Sequence, residues 1–238
     1  MKIKALLIAT GLSVLGMSSA MASPNMPHSE PWTMSEWLEA KNNMPEGDII
    51  RGEKLANDGY CYSCHGVGGN NPTQATPSLA GQNATYTYKM LKDYQSGRFI
   101  VDHKSDVMVN LVKIYNDQDL ADMAAYFAAQ ERPYAQYIEK EVDVAPEIVR
   151  LVAKGDTSRM IVPCASCHGA HGEGGMNETP ALTNLSPRMF IRHMEAYRDG
   201  TRHNDVMSGM AQFAKDLTDE EIQQLADYYA QLKPRGVE

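Results

Sequence analysis

The sequence lacks any segment in which apolar and polar residues alternate regularly between turn residues. Such alternation is typical of a half-buried β-strand, so its absence argues against an extended sheet. The periodic segments instead place apolar residues three and four positions apart, which is the spacing of one face of an α-helix. We therefore expect an all-α protein with little or no strand.

A long apolar run is also missing. The apolar stretch at 5–17 is too short and too interrupted to predict a membrane span. It follows Lys2 and Lys4 and precedes the sequence Ala20-Met21-Ala22, with small residues at 20 and 22, a pattern typical of a secretory signal peptide over residues 1–22. An uncleaved N-terminal anchor is the alternative interpretation of the same segment.

Basic residues are outnumbered, with 22 Lys and Arg against 30 Asp and Glu, a net charge of -8. Removal of residues 1–22 takes away two lysines and no acid, which brings the net charge to -10. Such a surface favours basic patches on protein partners and disfavours nucleic acid or anionic lipid.

Paired acids could indicate a catalytic site, but pairs such as Asp117 and Asp119 begin a predicted helix, where the helix dipole favours them. No nucleophile–base constellation is present.

Cysteine is scarce, and all four cysteines lie in two copies of the motif C-x-x-C-H, at 61–65 and 164–168. This motif is the attachment sequence of c-type haem. Two thiols one helical turn apart can add to the two vinyl groups of one porphyrin, and the adjacent histidine projects under the iron as its proximal ligand. We predict two covalently bound haems, held by Cys61, Cys64 and His65 and by Cys164, Cys167 and His168.

Other chemistry could explain part of this pattern. A single copy could be a zinc knuckle or a thiol redox site, and four cysteines of an exported protein could form two disulfides. The disulfides leave the histidine after each pair without a role, and two complete copies in matching surroundings favour haem. Haem attachment takes place outside the bacterial cytoplasm, so the motif and the signal peptide both indicate export to the periplasm.

The chain is a tandem repeat. An offset of 103 aligns the two motif regions, and beyond Gly200 the offset becomes 102. One duplicated unit explains this register. Because each unit is small for an apolar core alone, the haem is expected to complete that core. The predicted division is a signal peptide at 1–22, an extension at 23–47, a first domain at 48–131, a linker at 132–146 and a second domain at 147–238.

Capping signals place several helices. Asn116 and Thr218 each precede an acid by three residues, as in a capping box. Ser186 before Pro187 begins another helix, whose counterpart runs from about Thr85 to Ser96. The helices after the capping boxes are expected to bury one face, made of Leu120, Met123, Ala124 and Phe127 in the first unit and Ile222, Leu225, Ala226 and Tyr229 in the second.

The extension before the first unit has no counterpart in the second. Thr33 and Glu36 form a capping box, and Met34, Trp37 and Leu38 form an apolar stripe on a short helix. The extension either folds back onto its own domain or docks on a partner protein or a membrane surface.

The sixth ligand decides whether each iron is open to small molecules. Met108 and Met210 each lie 12 residues before equivalent positions of the last helix of their unit, so the repeat register pairs them as ligands. Met207 competes with Met210 for this role, because the sequence Asp-Val-Met occurs twice, ending once at Met108 and once at Met207. Ligation by two histidines is a further alternative, with His103, His171, His193 and His203 as candidates.

Taken together, these motifs resemble the dihaem cytochrome c4 family, which has two class I cytochrome c domains in one chain. The resemblance extends over roughly 49–232. It rests on CYSCHG and CASCHG, on PSLAGQ and PALTNL, on the methionine positions, and on LADMAAYF and IQQLADYY. It implies two all-α domains, each wrapped round one covalently bound haem.

The resemblance also implies two contacts in each domain. The backbone carbonyls of Pro77 and Pro180 would accept a hydrogen bond from the proximal imidazoles. Gly52 and Gly155 would let the first helix cross the last near Tyr126 and Tyr228, respectively. The second unit departs from the family pattern because it lacks the Ala-Gly-Gln found at 80–82.

Closed, six-coordinate irons favour a one-electron carrier between a periplasmic or membrane dehydrogenase complex and a terminal oxidase or reductase. One alternative is the electron-accepting subunit of a larger enzyme, such as a sulfur-compound dehydrogenase. Another is a dihaem peroxidase. The expected partners are redox proteins, and the expected location is the periplasm, with peripheral association at the inner membrane as a further option.

Overall fold

The computed structural model describes residues 28–71, 73–134, 137–138, 141–175, 177–183 and 185–233. The predicted signal peptide lies outside these residues. Helices predominate in them, and the strands are two short ones that pair antiparallel, so the all-α prediction is confirmed. The elements are β1 His28–Ser29, α1 Met34–Asn42, α2 Ile49–Asp58, α3 Tyr62–His65, α4 Ala84–Ser96, β2 Phe99–Ile100, α5 His103–Val112, α6 Asp117–Ala128, α7 Pro146–Lys154, α8 Cys164–His168, α9 Pro187–Asp199, α10 Gly209–Ala214 and α11 Asp219–Gln231.

The helix starts follow the capping signals. Asn116 and Thr218 each accept a hydrogen bond from the backbone N–H three residues on, and the acid there accepts one in return, so both predicted capping boxes form. Ser186 caps α9 by accepting a hydrogen bond from the Met189 N–H, without a returning acid, and Pro187 is the first helical residue. The eight residues predicted to form the inner faces of α6 and α11 are all buried. Within the described residues, no helix is long and apolar enough to cross a membrane.

The first half, α2–α6, is organised around a close crossing of α2 and α6 at Gly52. A β-carbon at this position would overlap the carbonyl oxygen of Asp122 and lie 2.8 Å from the β-carbon of Tyr126. The implied crossing at Gly52 therefore exists, and it requires glycine because the two helix backbones are in contact.

Replacement of Gly52 by alanine should lower the free energy of unfolding of the haem-loaded protein by about 1–3 kcal/mol, since the added methyl forces the helices apart. Glu53→Ala on the exposed side of α2 is the control and should stay within about 0.5 kcal/mol of wild type. Chemical denaturation measures both values. Equal stabilities for the two variants would show that the crossing tolerates a side chain.

The second half, α7–α11, departs from the first at its initial helix. Gly155 does not lie at a helix crossing beside Tyr228, so that expectation is wrong. It follows the end of α7 with φ at +68°, and a β-carbon there would lie 2.8 Å from the backbone nitrogen of Pro163. A short 3-10 turn at Thr157–Arg159 separates α7 from the second motif. The constant offset of 103 fails in this segment because the second half carries extra residues between its first helix and its cysteines.

The extension folds onto the first half and also reaches the second. We define the strap as residues 28–42. Its β1 pairs with β2 of the first half, and its α1 begins with the predicted capping box at Thr33. Trp32 and Trp37 are buried, whereas Met34 and Leu38 are exposed, so the predicted apolar stripe is covered only at Trp37.

The two halves pack through polar contacts that the repeat itself does not duplicate. Gln82 Nε2 donates to the carbonyl of Ala181 at 3.1 Å, and the Ala181 N–H donates to Gln82 Oε1 at 2.8 Å. Asn83 Nδ2 donates to the carbonyl of Gly175 at 2.5 Å. Gln82 belongs to the Ala-Gly-Gln that the second unit lacks, and its role across the interface gives a physical reason for that difference.

Three segments meet at the carboxylate of Asp93, which is fully buried. Lys89 Nζ, one turn earlier on α4, lies 2.6 Å from it and forms an ion pair. Asn204 of the second half donates through Nδ2 at 2.6 Å, and Trp32 of the strap donates through Nε1 at 2.5 Å. A single buried carboxylate therefore joins the strap to both halves.

Candidate haem sites

Each C-x-x-C-H motif forms a short helix, α3 in the first half and α8 in the second. All four cysteines are free thiols, and Cys64 and Cys167 are exposed. The described residues contain no group of three or more His, Cys, Asp or Glu side chains arranged to hold a metal ion. A structural zinc site needs four ligands, so the described residues do not form one.

The motif histidines are buried and oriented by a backbone carbonyl. His65 Nδ1 lies 2.8 Å from the carbonyl oxygen of Pro77, and His168 Nδ1 lies 2.9 Å from that of Pro180. A carbonyl only accepts, so Nδ1 carries the proton and Nε2 keeps its lone pair for a metal. Burial lowers the pKa of both imidazoles, although the bond to the carbonyl opposes that shift, and this favours the neutral form of both rings.

A mostly apolar cavity of about 530 Å³ reaches both motif histidines. Its lining includes Cys64 of the first half and Cys167 of the second. An apolar cavity with convergent thiols and the motif imidazole in each half matches the donor set of covalently bound haem. The residues present therefore fit two haem c groups.

The methionines differ in their access to this cavity. Met108 on α5 and Met210 on α10 both line it, and Met210 also packs against the core of the second half. Met207 is 56% exposed, lies outside the lining and has a φ of +57°. The Met210 N–H donates to Asp205 Oδ2 at 2.6 Å, which fixes the start of α10.

The four candidate histidines also differ in whether they line the cavity. His103 and His193 line the cavity, whereas His171 and His203 do not. Burial is the main reason that the pKa of His193 lies well below its ordinary value, and the positive charge of Arg202 adds to the effect. In the repeat register, His103 corresponds to Asp205 and His193 to Met90, so neither has a histidine counterpart.

Sequence reasoning missed Arg202, which lines the cavity between the two halves and is 3% exposed. Its guanidinium lies 4.9 Å from the ring of Phe99 and 4.6 Å from that of Tyr197. Among the described residues, no carboxylate lies within ion-pair distance of it, and a buried charge of this kind is costly without an anion. The carboxylates of a bound haem would supply one. No motif or spacing in the sequence identifies this residue.

Comparison with known proteins follows the same division into halves. The family described as "Cytochrome c" matches residues 49–130, and the family described as "Cytochrome C oxidase, cbb3-type, subunit III" matches residues 159–228. These two ranges contain the first and the second motif, respectively.

Individual proteins match over both halves. A cytochrome c4 from Pseudomonas aeruginosa is 30% identical over 184 residues, covering 76% of this chain and 87% of that protein. A "Thiosulfate dehydrogenase electron acceptor" from Stutzerimonas stutzeri is 30% identical over 171 residues, covering 71% of this chain and 77% of that protein. The crystal structure of reduced recombinant cytochrome c4 from Pseudomonas stutzeri superposes with a TM-score of 0.63 at 26% identity, covering 78% of this chain and 98% of that one.

The resemblance inferred from the motifs is therefore confirmed by relatives that match along most of their length. The two attachment motifs, the oriented histidines and the shared cavity fit the cofactor of those relatives. This chain belongs to the dihaem cytochrome c4 family of electron-transfer proteins and carries two covalently bound haem c groups.

Proposed function

We propose that the chain carries single electrons between a periplasmic or membrane dehydrogenase complex and a terminal oxidase or reductase. The observation that carries this proposal is a cavity lined in each half by the motif histidine and by the methionine that the repeat register assigns to that half, Met108 or Met210. His65 and Met108 would ligate one iron, and His168 and Met210 the other. Saturated irons leave a substrate no binding position, which favours a carrier over an enzyme.

The attachment residues divide between the same two sites. Cys61 and Cys64 would form the thioether bonds of the first haem, and Cys164 and Cys167 those of the second. The two histidine–carbonyl contacts support this assignment because they hold each ring in the tautomer that leaves Nε2 free. The helix bounds and the family matches support domains at 48–131 and 147–238 joined by the segment 132–146.

Methionine ligation is favoured over a second histidine by the repeat. Met108 and Met210 occupy equivalent positions and both line the cavity. His103 and His193 line it as well, but their repeat counterparts are not histidines. A thioether ligand suits a carrier that accepts and releases electrons at a raised potential.

The arrangement of the halves supports transfer along the chain. Haem c supplies reversible one-electron transfer at its iron when bound. Both motif histidines line one mostly apolar cavity, and Arg202 lies at the boundary of the halves. An electron could then enter at one half and leave at the other.

The location and the partners follow from the motif and the charge. We infer that the chain acts in the periplasm, since covalent haem attachment and the predicted signal peptide both require export. Without residues 1–22 its net charge is -10, which favours partners with basic docking surfaces. Peripheral contact with a membrane complex is consistent with this role.

A second candidate is the electron acceptor of a thiosulfate dehydrogenase. The observation that favours it is the relative from Stutzerimonas stutzeri described by that name, which is as similar to this chain as the cytochromes c4 are. In this role the chain would be a dedicated partner of one sulfur-compound dehydrogenase. A dihaem peroxidase is the least favoured function, because a methionine faces the cavity in each half.

Stopped-flow reduction tests these functions. The purified haem-loaded chain should show negligible turnover with peroxide or thiosulfate alone, and should be reduced rapidly by a competent dehydrogenase, more slowly as salt rises. Rapid reduction by a thiosulfate dehydrogenase, but not by a quinol-oxidising complex, would favour the second candidate. Appreciable peroxide turnover by the isolated chain would contradict the carrier function.

A further inference from the structure

We propose that Trp32 of the strap is a positioning residue for Met210, so that the extension controls ligation in the second haem site. This inference rests on the proposed ligation by Met210. It also gives a function to the segment that has no counterpart in the repeat. The argument starts at the turn before α10.

The turn that precedes Met210 is strained. Met207 and Ser208 are consecutive non-glycine residues with φ values of +57° and +54°. Such residues rarely adopt this left-handed conformation, and they keep it only where the surrounding structure holds them. In the first half, Met108 instead lies inside the regular helix α5, so only the second site depends on a strained turn.

The strap supplies one of the contacts that hold this turn. The Met207 N–H donates to the carbonyl of Trp32 at 2.9 Å, and Trp32 forms a parallel bridge with Val206. Upstream, the His203 N–H donates to Ser29 Oγ at 2.8 Å. Two residues of the strap therefore bind the segment that leads into α10.

The first half holds Trp32 in place. Its indole Nε1 donates to Asp93 Oδ1 at 2.5 Å, and the guanidinium of Arg98 lies 4.5 Å from its ring centroid. Arg98 also donates to the carbonyl of Pro31 at 2.9 Å. Because the indole is fixed on the first half while its backbone carbonyl binds the turn of the second, movement of the indole would release the turn.

Trp37 provides a matched control. It is buried beside Trp32, with ring centroids 5.5 Å apart, but its Nε1 has no hydrogen-bond partner within the part of the chain that the structure describes. Trp32→Phe removes an N–H that donates to Asp93, whereas Trp37→Phe removes an N–H that donates to none of the described residues. Both replacements keep an aromatic ring.

The test measures how fast imidazole displaces the sixth ligand from each ferric haem, together with the two midpoint potentials. Met210→Ala identifies which signals belong to the second haem. We expect Trp32→Phe to accelerate imidazole binding at that haem by about tenfold, the factor that corresponds to one lost hydrogen bond to a charged group. The potential of that haem should also fall. The first haem should not change, and Trp37→Phe should stay within about twofold of wild type, since it loses no hydrogen bond.

Equal effects of the two replacements, or an effect of Trp32→Phe on both haems alike, would overturn the inference. Ser29→Ala, which removes the acceptor of the His203 N–H, gives an independent result should Trp32→Phe fail to fold, and it should change the same haem in the same direction. If these variants change neither haem, the inference is also overturned.

If Met210→Ala leaves the second iron six-coordinate, the proposed ligation itself is wrong. If that variant opens the iron while the two tryptophan variants behave alike, only the role of the strap is wrong.

Discussion

Replacement of Met210 by alanine should open the second haem to carbon monoxide and lower its midpoint potential. In the proposed ligation, the Met210 thioether occupies the sixth position and is a weak donor that favours the reduced iron. We expect a fall of roughly 100 mV or more, within the ~0.8 V that axial ligands span in haem proteins. Spectropotentiometry and carbon monoxide titration of the reduced protein measure the two effects.

Met207→Ala is the matched control for this experiment. Met207 lies three residues away, is exposed and is outside the cavity lining, so its loss should leave both haems closed. The reverse pattern, with Met207→Ala opening a haem and Met210→Ala leaving it closed, would show that the local Asp-Val-Met sequence determines the ligand rather than the repeat register.

The second large effect is expected at Asp93. Asp93→Ala should lower the free energy of unfolding by about 3–5 kcal/mol, because it leaves the ammonium of Lys89 buried without its counter-charge. The side chains of this pair are only 4% and 0% exposed. Trp32 and Asn204 would each lose a hydrogen-bond acceptor as well, so contacts of the strap and of the second half should weaken together. Chemical denaturation of the haem-loaded protein measures the loss.

The chain offers a control with the same spacing. Lys54 and Asp58 also form an ion pair four residues apart on a helix, but their side chains are 75% and 54% exposed. Asp58→Ala should therefore cost less than about 0.5 kcal/mol, as for other exposed pairs. Similar losses for Asp93→Ala and Asp58→Ala would mean that the buried carboxylate does not join the three segments as described.

The pairs Lys89–Asp93 and Lys54–Asp58 show which contacts could not be predicted from the sequence. Both have the spacing of helical Lys–Asp pairs, and only the packing of distant segments makes one of them buried. Asn204 is 111 residues from Asp93 along the chain. Neither the offset of the repeat nor any hydrophobic period links those positions, so the contact between the halves could not be predicted.

Local chemistry, by contrast, was sufficient for much of the fold and the site. The capping residues Asn116 and Thr218 fixed the starts of the last helices, and the spacing of the apolar residues fixed their buried faces. The C-x-x-C-H motifs identified the cofactor because thiols and imidazole at that spacing have few other uses. The prediction for Gly155 failed because an offset taken from the motifs was carried across a segment of different length.

A reductive titration of the wild-type, haem-loaded chain tests the central claim most directly. The claim is that two haems with closed irons carry one electron each. The account predicts that two electrons per chain are taken up and that neither ferrous haem binds carbon monoxide readily at neutral pH. Uptake of one electron, or ready binding of carbon monoxide by either haem of the unmodified protein, would contradict it.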